Sequence, residues 1–345
     1  MMAPVIRDLD AKHYQAWDRF VLAAPDGTFF HQTGWRDVIE RAFRHTSYYV
    51  FAEQDGAVTG VLPLFHVRSV LFGNRLLSVP FCVYGGPLAV DAQTAEALSR
   101  HAIELMRRLH ADLVEFRMRD PHSLEWAARP GLYATFRKPI HTDPEQNLKA
   151  IPRKQRAVVR KALVHRLRSN VGQEVDGFYQ IYAESVRNLG TPVFPRRYLR
   201  LLMERFCSVA EILTVTEDTS PLSAVLSFFF RDEVLPYYGA GRSRARELGA
   251  FDFMYWELMN TAARARAARI FDFGRSKVGT GSFAFKKNWG FSPQPLDYVY
   301  WLAPGQAIPD HNPLNPRYRA MIEVWKRLPL PVANWIGPPI VRGIG

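Results

Sequence analysis

The sequence predicts a mixed α/β chain of the α+β kind, built as two successive copies of one domain, each a largely antiparallel sheet flanked by helices. Three observations carry this. Short apolar segments recur in the same order in both halves: Gly60-Val-Leu-Pro-Leu-Phe65 is answered by Ala224-Val-Leu-Ser-Phe-Phe229, Tyr84-Gly-Gly-Pro87 by Tyr238-Gly-Ala-Gly241, and Leu113-Val-Glu-Phe-Arg117 by Ile270-Phe-Asp-Phe273. Val61 and Val225, Tyr84 and Tyr238, and Leu113 and Ile270 lie 164, 154 and 157 residues apart, the spacing of an internal repeat. At 345 residues the chain also exceeds the size at which a single core stops growing.

The elements follow in order. Up to Arg44 the pattern is helical and polar, with a turn at Pro25-Asp-Gly27 and the segment Phe30-His-Gln-Thr-Gly-Trp35 leading into a second helix. Residues 48–53, 57–67 and 75–84 are rich in β-branched and aromatic side chains and are separated by Asp55-Gly56 and Gly73-Asn74, dipeptides of tight hairpins. Ala95, Leu98, Ala102, Leu105 and Leu109 form one helical face over 92–110, and a strand over 113–118 closes the unit. The second half repeats the plan with helices over 175–189 and 197–206, strands over 211–217, 222–231 and 233–239, a helix over 250–267 and a strand over 269–273. A short helix over 283–291, a strand over 297–302 and one tail helix, 316–327, complete the reading. The expected division is 1–150, then 151–302 with a basic connecting helix at 153–168, then a proline-rich tail, 303–345, packed on the first domain.

A net charge of +12 attracts anions: nucleic acid, phosphorylated substrates or an acidic membrane face. The start of the chain lacks a charged, then apolar, leader, and no run of about eighteen apolar residues occurs, so a cytoplasmic protein is expected. Cys82 and Cys207 are too few for a disulfide framework and have no metal-ligand spacing; no metal is expected. His31, His45, His66 and His141 form no nucleophilic constellation, and no Gly-x-Ser-x-Gly elbow is present.

Two segments bear chemistry. Arg153, Lys154, Arg156, Arg160, Lys161, His165 and Arg168 cover about half of a helical circumference, with Val158, Val159, Ala162 and Leu163 opposite; guanidinium forks on such a strip match phosphate oxygens of RNA or a diphosphate, although a solvated link between domains has the same pattern. Phe283-Ala-Phe-Lys-Lys-Asn-Trp-Gly-Phe291 follows a strand and a glycine turn, placing Lys286 beside a sheet opening walled by Phe283, Phe285 and Trp289. An ammonium there would steady the negative charge that grows on a carbonyl oxygen during acyl transfer. Gly85, Gly86 and Gly239 would let a ligand lie close to the backbone, and Tyr237 and Tyr238 offer phenols.

These residues resemble the FemAB family, two-domain relatives of GNAT acyltransferases, and its exosortase-associated branch in particular. The resemblance covers nearly all of residues 10 to 302, and its carriers are Phe30-His-Gln-Thr-Gly-Trp35, Val79-Pro-Phe-Cys-Val-Tyr-Gly-Gly-Pro87, Arg156-Ala-Val-Val-Arg-Lys-Ala162, Phe178-Tyr-Gln-Ile-Tyr-Ala-Glu-Ser-Val-Arg-Asn-Leu-Gly190 with Phe194-Pro-Arg-Arg-Tyr198, Leu235-Pro-Tyr-Tyr-Gly-Ala240 and Phe285-Lys-Lys-Asn-Trp-Gly290, with Trp325-Lys-Arg-Leu-Pro-Leu-Pro-Val-Ala-Asn334 in the tail. The resemblance implies tandem GNAT-like domains and transfer of an aminoacyl group from a charged tRNA to an amine of a cell-envelope precursor, peptidoglycan-like or exopolysaccharide, by direct attack. It implies Lys286 as the cation facing the acyl oxyanion, Phe285 as its packing neighbour, Tyr238 or Tyr237 as substrate hydrogen-bond partners and Arg187 as a phosphate or carboxylate anchor. Trp35, Tyr84, Gly85 and Gly86 would line the substrate groove, Arg153, Arg156, Arg160 and Lys161 would meet phosphate or RNA, and Asp272, Asp120 or Glu115 would take the proton. No cofactor is held permanently; aminoacyl-tRNA, acyl-CoA or acyl carrier protein serves as co-substrate, and a monomer is expected. Two alternatives stand beside this: an acyl-CoA or acyl-carrier-protein N-acyltransferase acting on an amino sugar, and a non-catalytic scaffold touching a membrane through 316–340. Lys286→Met is expected to abolish turnover while sparing the fold.

Overall fold

A computed structural model describes residues 4–119, 126–309 and 316–345. The chain opens with β1 (Val5–Asp8), α1 (Tyr14–Ala23) and α2 (Gly34–Phe43), followed by β2 (Thr46–Gln54), β3 (Ala57–Ser69), β4 (Gly73–Leu77) and β5 (Leu88–Ala89). Then come α3 (Ala92–Arg108), β6 (Leu113–Phe116), β7 (Ala127–Ala128), β8 (Tyr133–Pro139), α4 (Pro144–Lys149) and α5 (Arg153–Leu163). A second series consists of β9 (Leu167–Gly172), α6 (Val175–Asn188), α7 (Arg196–Arg205), β10 (Ala210–Glu217), β11 (Ser220–Phe230), β12 (Glu233–Gly241), α8 (Ser243–Glu247), α9 (Ala250–Ala265) and β13 (Ile270–Lys277). The chain ends with α10 (Gly281–Asn288), β14 (Pro293–Leu296), β15 (Val299–Leu302), α11 (Pro316–Arg327) and α12 (Leu330–Ile344).

The chain forms two units. The first comprises Met1–Tyr133, Pro295–Asp310 and Arg342–Gly345. Its sheet has the order β1-β2-β3-β4-β6-β15-β7, with β5 added on β3. β4 and β6 pair in parallel, from Arg75↔Leu113 to Leu77↔Glu115. Leu98, Ala102 and Leu105 of α3, the face read from the sequence, close over Val50, Leu62, Leu64, Leu76 and Val114, and Asp91 caps that helix by accepting from the Thr94 amide at 2.7 Å.

The second unit comprises Ala134–Gln294 and His311–Val341. Its sheet runs β14-β8-β13-β12-β11-β10-β9. Phe136, Val159, Ala162, Val225, Val234, Met254, Leu258, Phe271 and Trp289 share its core. The repeat is visible in the element order: β1-α1-α2-β2-β3-β4-α3-β6 corresponds to β9-α6-α7-β10-β11-β12-α9-β13, and Leu113 and Ile270 each open the strand that follows the crossover helix.

Several expectations change. The strand expected over 75–84 stops at Leu77, because Pro80 has no amide to give to a ladder and Val79 and Phe81 take left-handed conformations at φ 58° and 68°; Tyr84 therefore lies in a loop while its counterpart Tyr238 lies in β12. The basic helix ends at Leu163 and Arg168 belongs to β9, so His165 and Arg168 leave the strip. The strand at 269–273 continues to Lys277. A strand, β1, precedes the first helices. β8 joins the second sheet although it lies before residue 150, and β15 joins the first sheet although it follows β13. In the tail, α11 lies on α6: a Cβ at Gly190, which follows α6, would collide with Ile322. α12 forms despite Pro338 and Pro339, which escaped the sequence reading because proline normally breaks a helix interior.

Candidate active site in the second unit

β12 and β13 are registered in parallel over Glu233↔Ile270 and Val234↔Phe271, although β12 runs on to Gly241 and β13 to Lys277. Two devices go with this parting. The register of β11 against β12 slips between Leu226↔Tyr238 and Ser227↔Pro236, leaving Tyr237 as an extra residue; a bulge of this kind bends its strand and re-aims side chains. On the other side Gly274 takes φ 63° and its amide donates to Asp272 Oδ1 at 2.8 Å, curling β13.

Lys286 holds that curl. It is buried, and its Nζ donates to the carbonyls of Phe273, Gly274 and Arg275 at 2.6, 3.1 and 2.9 Å. All three N–H groups of an ammonium thus have partners within the chain. Burial pushes the amine down to about 7, while the neighbouring Asp272 carboxylate pulls it up and Arg275 opposes that. Asp272 is itself buried and ion-paired through Oδ2 to Arg137 Nε at 3.3 Å, and Arg137 of β8 also pairs with Glu233 of β12. These bonds make Asp272 a tie between β13 and β8. Ser276, two residues past the curl, is buried with an Oγ that has no hydrogen-bond partner.

Aromatic walls flank the parting. On the α9 and α10 side, Phe285 lies within ring-contact range of Phe251, Tyr255, Phe273 and Trp289, at centroid separations of 5.6 to 6.2 Å. A Cβ at Gly239 would collide with Tyr255 Oη, so the glycine there is required by tyrosine packing, not by an approaching ligand. On the α6 and α7 side, the Tyr238 hydroxyl meets that of Tyr198 at 2.9 Å, with Tyr182 and Phe194 against its ring. Tyr237 packs on Phe228 and Tyr238.

Arg153, Arg156 and Arg160 project from α5 around a surface concavity of about 420 Å³, with Ala157 between them; Lys161 is exposed beside them. This strip adjoins the same region. Asp252 in the first turn of α9 accepts from Gln155 of α5 and from Trp289 Nε1, the latter at 2.9 Å, and burial raises its carboxyl above the ordinary value. Gly290, after α10, is pressed against Pro152 at the start of α5.

The other predicted residues have different surroundings. Arg187 donates to the carbonyls of Lys326 and Leu328 at 3.2 and 3.4 Å, closing the C-terminal end of α11, where a cation suits the helix dipole. Trp35 is fully buried in the first unit and donates to the Phe29 carbonyl at 3.1 Å. Tyr84 is buried under the Arg119 guanidinium, 4.5 Å from its ring centre. A Cβ at Gly85 would strike the Ser78 carbonyl and one at Gly86 the Met118 side chain, so these glycines admit the chain itself.

The counterpart of the parting in the first unit, beyond Leu77 and Glu115, is filled. Arg117 donates to Glu115 at 2.6 Å and to the carbonyls of Val79 and Cys82 at 3.1 and 3.0 Å, all in the interior. Glu115 is thereby committed to an ion pair, and Asp120 lies outside the described residues. His31, also in this unit, is buried and held down to about 4, chiefly by desolvation. Among the described residues no three His, Cys, Asp or Glu side chains gather as metal ligands, and none of the helices is long and apolar enough to cross a membrane.

Residues 147–287 match the family described as acetyltransferase (GNAT) domain. That stretch is similar to a GNAT acetyltransferase domain. The whole chain is similar in fold to FemX, at 15% identity and a TM-score of 0.69 over 94% of this chain and 100% of that one. It is also similar to L-PGS from Bacillus licheniformis (13%, 0.57, 93% and 97%) and to a tandem GNAT protein from the clavulanic acid biosynthesis pathway (14%, 0.54, 89% and 100%). No curated protein matches the sequence. The matched stretch lies within the unit whose strands part.

Sequence reasoning missed Arg137, Tyr255, Phe251 and Asp252. Arg137 lies in a strand without a clear alternating pattern. The other three sit on α9, where Phe251 and Tyr255 at helical spacing read as ordinary core and Asp252 is a single acid in the first turn.

Proposed function

We propose that the second unit forms an amide by passing an acyl or aminoacyl group to an amine of a cell-envelope precursor. The observation that carries this reading is the parting of β12 from β13 beside the Tyr237 bulge, with aromatic walls for an acyl chain and the α5 arginines for a phosphorylated donor nearby. The amine nitrogen attacks the donor carbonyl, the new C–N bond forms, and the ester C–O or thioester C–S bond breaks. The proton lost by nitrogen leaves with the departing oxygen or sulfur. No covalent enzyme intermediate is required; positioning supplies the acceleration.

In this reading Lys286 acts as a positioning residue whose bonds fix the curl of β13. It meets a developing oxyanion directly only when one carbonyl gives up its place. Tyr238 and Tyr237 offer hydroxyls at the bulge, and Arg153, Arg156, Arg160 and Lys161 engage donor phosphates. The FemAB resemblance favours aminoacyl-tRNA as donor and a peptidoglycan-like or exopolysaccharide acceptor, in its exosortase-associated form. A second reading, an N-acyltransferase using acyl-CoA or acyl carrier protein, draws support from the GNAT match itself.

The test is donor binding by thermal shift and fluorescence titration with aminoacyl-tRNA and with CoA thioesters. The triple variant Arg153→Ala/Arg156→Ala/Arg160→Ala is expected to weaken the true donor about 10- to 100-fold and to flatten its salt dependence. Stabilisation by CoA thioesters and not by aminoacyl-tRNA selects the second reading. Binding of neither, or equal binding by the triple variant, refutes the donor site.

A further inference from the structure

The geometry points to a lipid-docking face on the part of the C-terminal helices that lies in the second unit, residues 316–341, with an anionic bilayer surface as its occupant. Along α12 the outward positions Val332, Trp335 and Pro339 follow one another at helical spacing, while Ala333, Gly337 and Val341 turn inward. Trp335 is 79% exposed and Val332 41%. On α11, Met321 and Val324, one turn apart, are 66% and 63% exposed. Large apolar side chains at such exposure on two successive helices mark a contact surface more than they mark a solvated one.

Charge selects the occupant. Residues 316–341 hold Arg317, Arg319, Lys326 and Arg327 against a single acid, Glu323, and Glu323 is engaged by Lys326 at 2.6 Å, leaving Arg327 exposed. α12 itself carries no acidic residue. A tryptophan, short aliphatic side chains and flanking cations suit the boundary between acyl chains and anionic headgroups. A second copy of the chain would bring the same cations and a net charge of +12 against itself. Since α12 is too short and α11 too polar to span, the contact lies along the surface. Docking does not depend on the transferase reading; it deepens that reading only by placing the acceptor at a membrane.

The experiment is co-sedimentation of the full chain with vesicles of phosphatidylcholine alone and of phosphatidylcholine with phosphatidylglycerol, alongside sedimentation velocity without lipid. Binding is expected to phosphatidylglycerol-containing vesicles only. Trp335→Ser is expected to reduce partitioning about tenfold, and Arg327→Gln to reduce it about fivefold at low salt with little effect at high salt; circular dichroism confirms that both variants stay folded. Failure to bind phosphatidylglycerol vesicles, equal binding by Trp335→Ser, or a dimer that Trp335→Ser dissolves overturns the assignment. Donor binding at the α5 arginines, measured in solution, is unchanged in both variants, so this proposal and the transferase reading fail separately.

Discussion

Replacing Lys286 by Met tests how the buried amine is held. Its pKa falls from the ordinary 10.5 to about 7 on folding, chiefly through burial. Above pH 7 the folded protein releases this proton while the unfolded chain keeps it, so the unfolded state binds more protons and stability rises with pH until about 10.5. At about 1.4 kcal/mol per pH unit the full span is worth several kcal/mol, roughly half of it between pH 7.5 and 9.5. Met lacks the proton and also strands the carbonyls of Phe273, Gly274 and Arg275, which adds about 2–4 kcal/mol of destabilisation that does not vary with pH. Urea unfolding of wild type and Lys286→Met across pH 7.5 to 9.5 should therefore show a gap that opens as pH rises. A constant gap would mean that the three carbonyls and Asp272 keep the ammonium charged, and the positioning argument would then rest on a cation. No gap at all would refute the anchoring role. A gap of either kind would revise the expectation from sequence that the substitution spares the fold, because the side chain would then act as a structural tie.

Arg137→Met leaves the Asp272 carboxylate buried without its guanidinium partner and should cost about 3–5 kcal/mol in chemical denaturation; a loss below about 1 kcal/mol would show that Asp272 finds other partners. Gly239→Ala should destabilise by about 1–3 kcal/mol through the clash with Tyr255 Oη, and Tyr255→Phe in the same chain should recover most of it. If the double variant is as unstable as the single, the clash is not the cause.

Which parts of this protein could be read in advance follows from where the forces act. The apolar periodicities of α3 and of the strands around Leu62 and Val225 are local, as are the turns Asp55-Gly56 and Gly73-Asn74, so the doubled fold was legible. The placement of the Phe285-Lys286 segment beside a strand, among Phe283, Phe285 and Trp289, was also legible. What the sequence could not convey was the set of partners. Lys286 looked like a free cation until three carbonyls from a strand eleven to thirteen residues earlier were folded onto it, and Arg187 looked like an anion anchor until α11 placed its terminal carbonyls against it. Gly85 and Gly86 looked open to a ligand until Ser78 and Met118 were brought into contact with them.

The amino-acid sequence by itself determined the order of helices and strands, the repeat and the cationic stripe at Arg153 to Arg160, because each depends on side-chain periodicity within a few turns. Tertiary structure alone decided that β8 and β15 each complete the sheet of the other half's strands, that Pro338 and Pro339 sit within a helix, and that one parting of strands is filled by Arg117 while the other is lined by aromatic rings. Those outcomes depend on burial and hydrogen bonding between residues far apart in the chain, which no local pattern encodes.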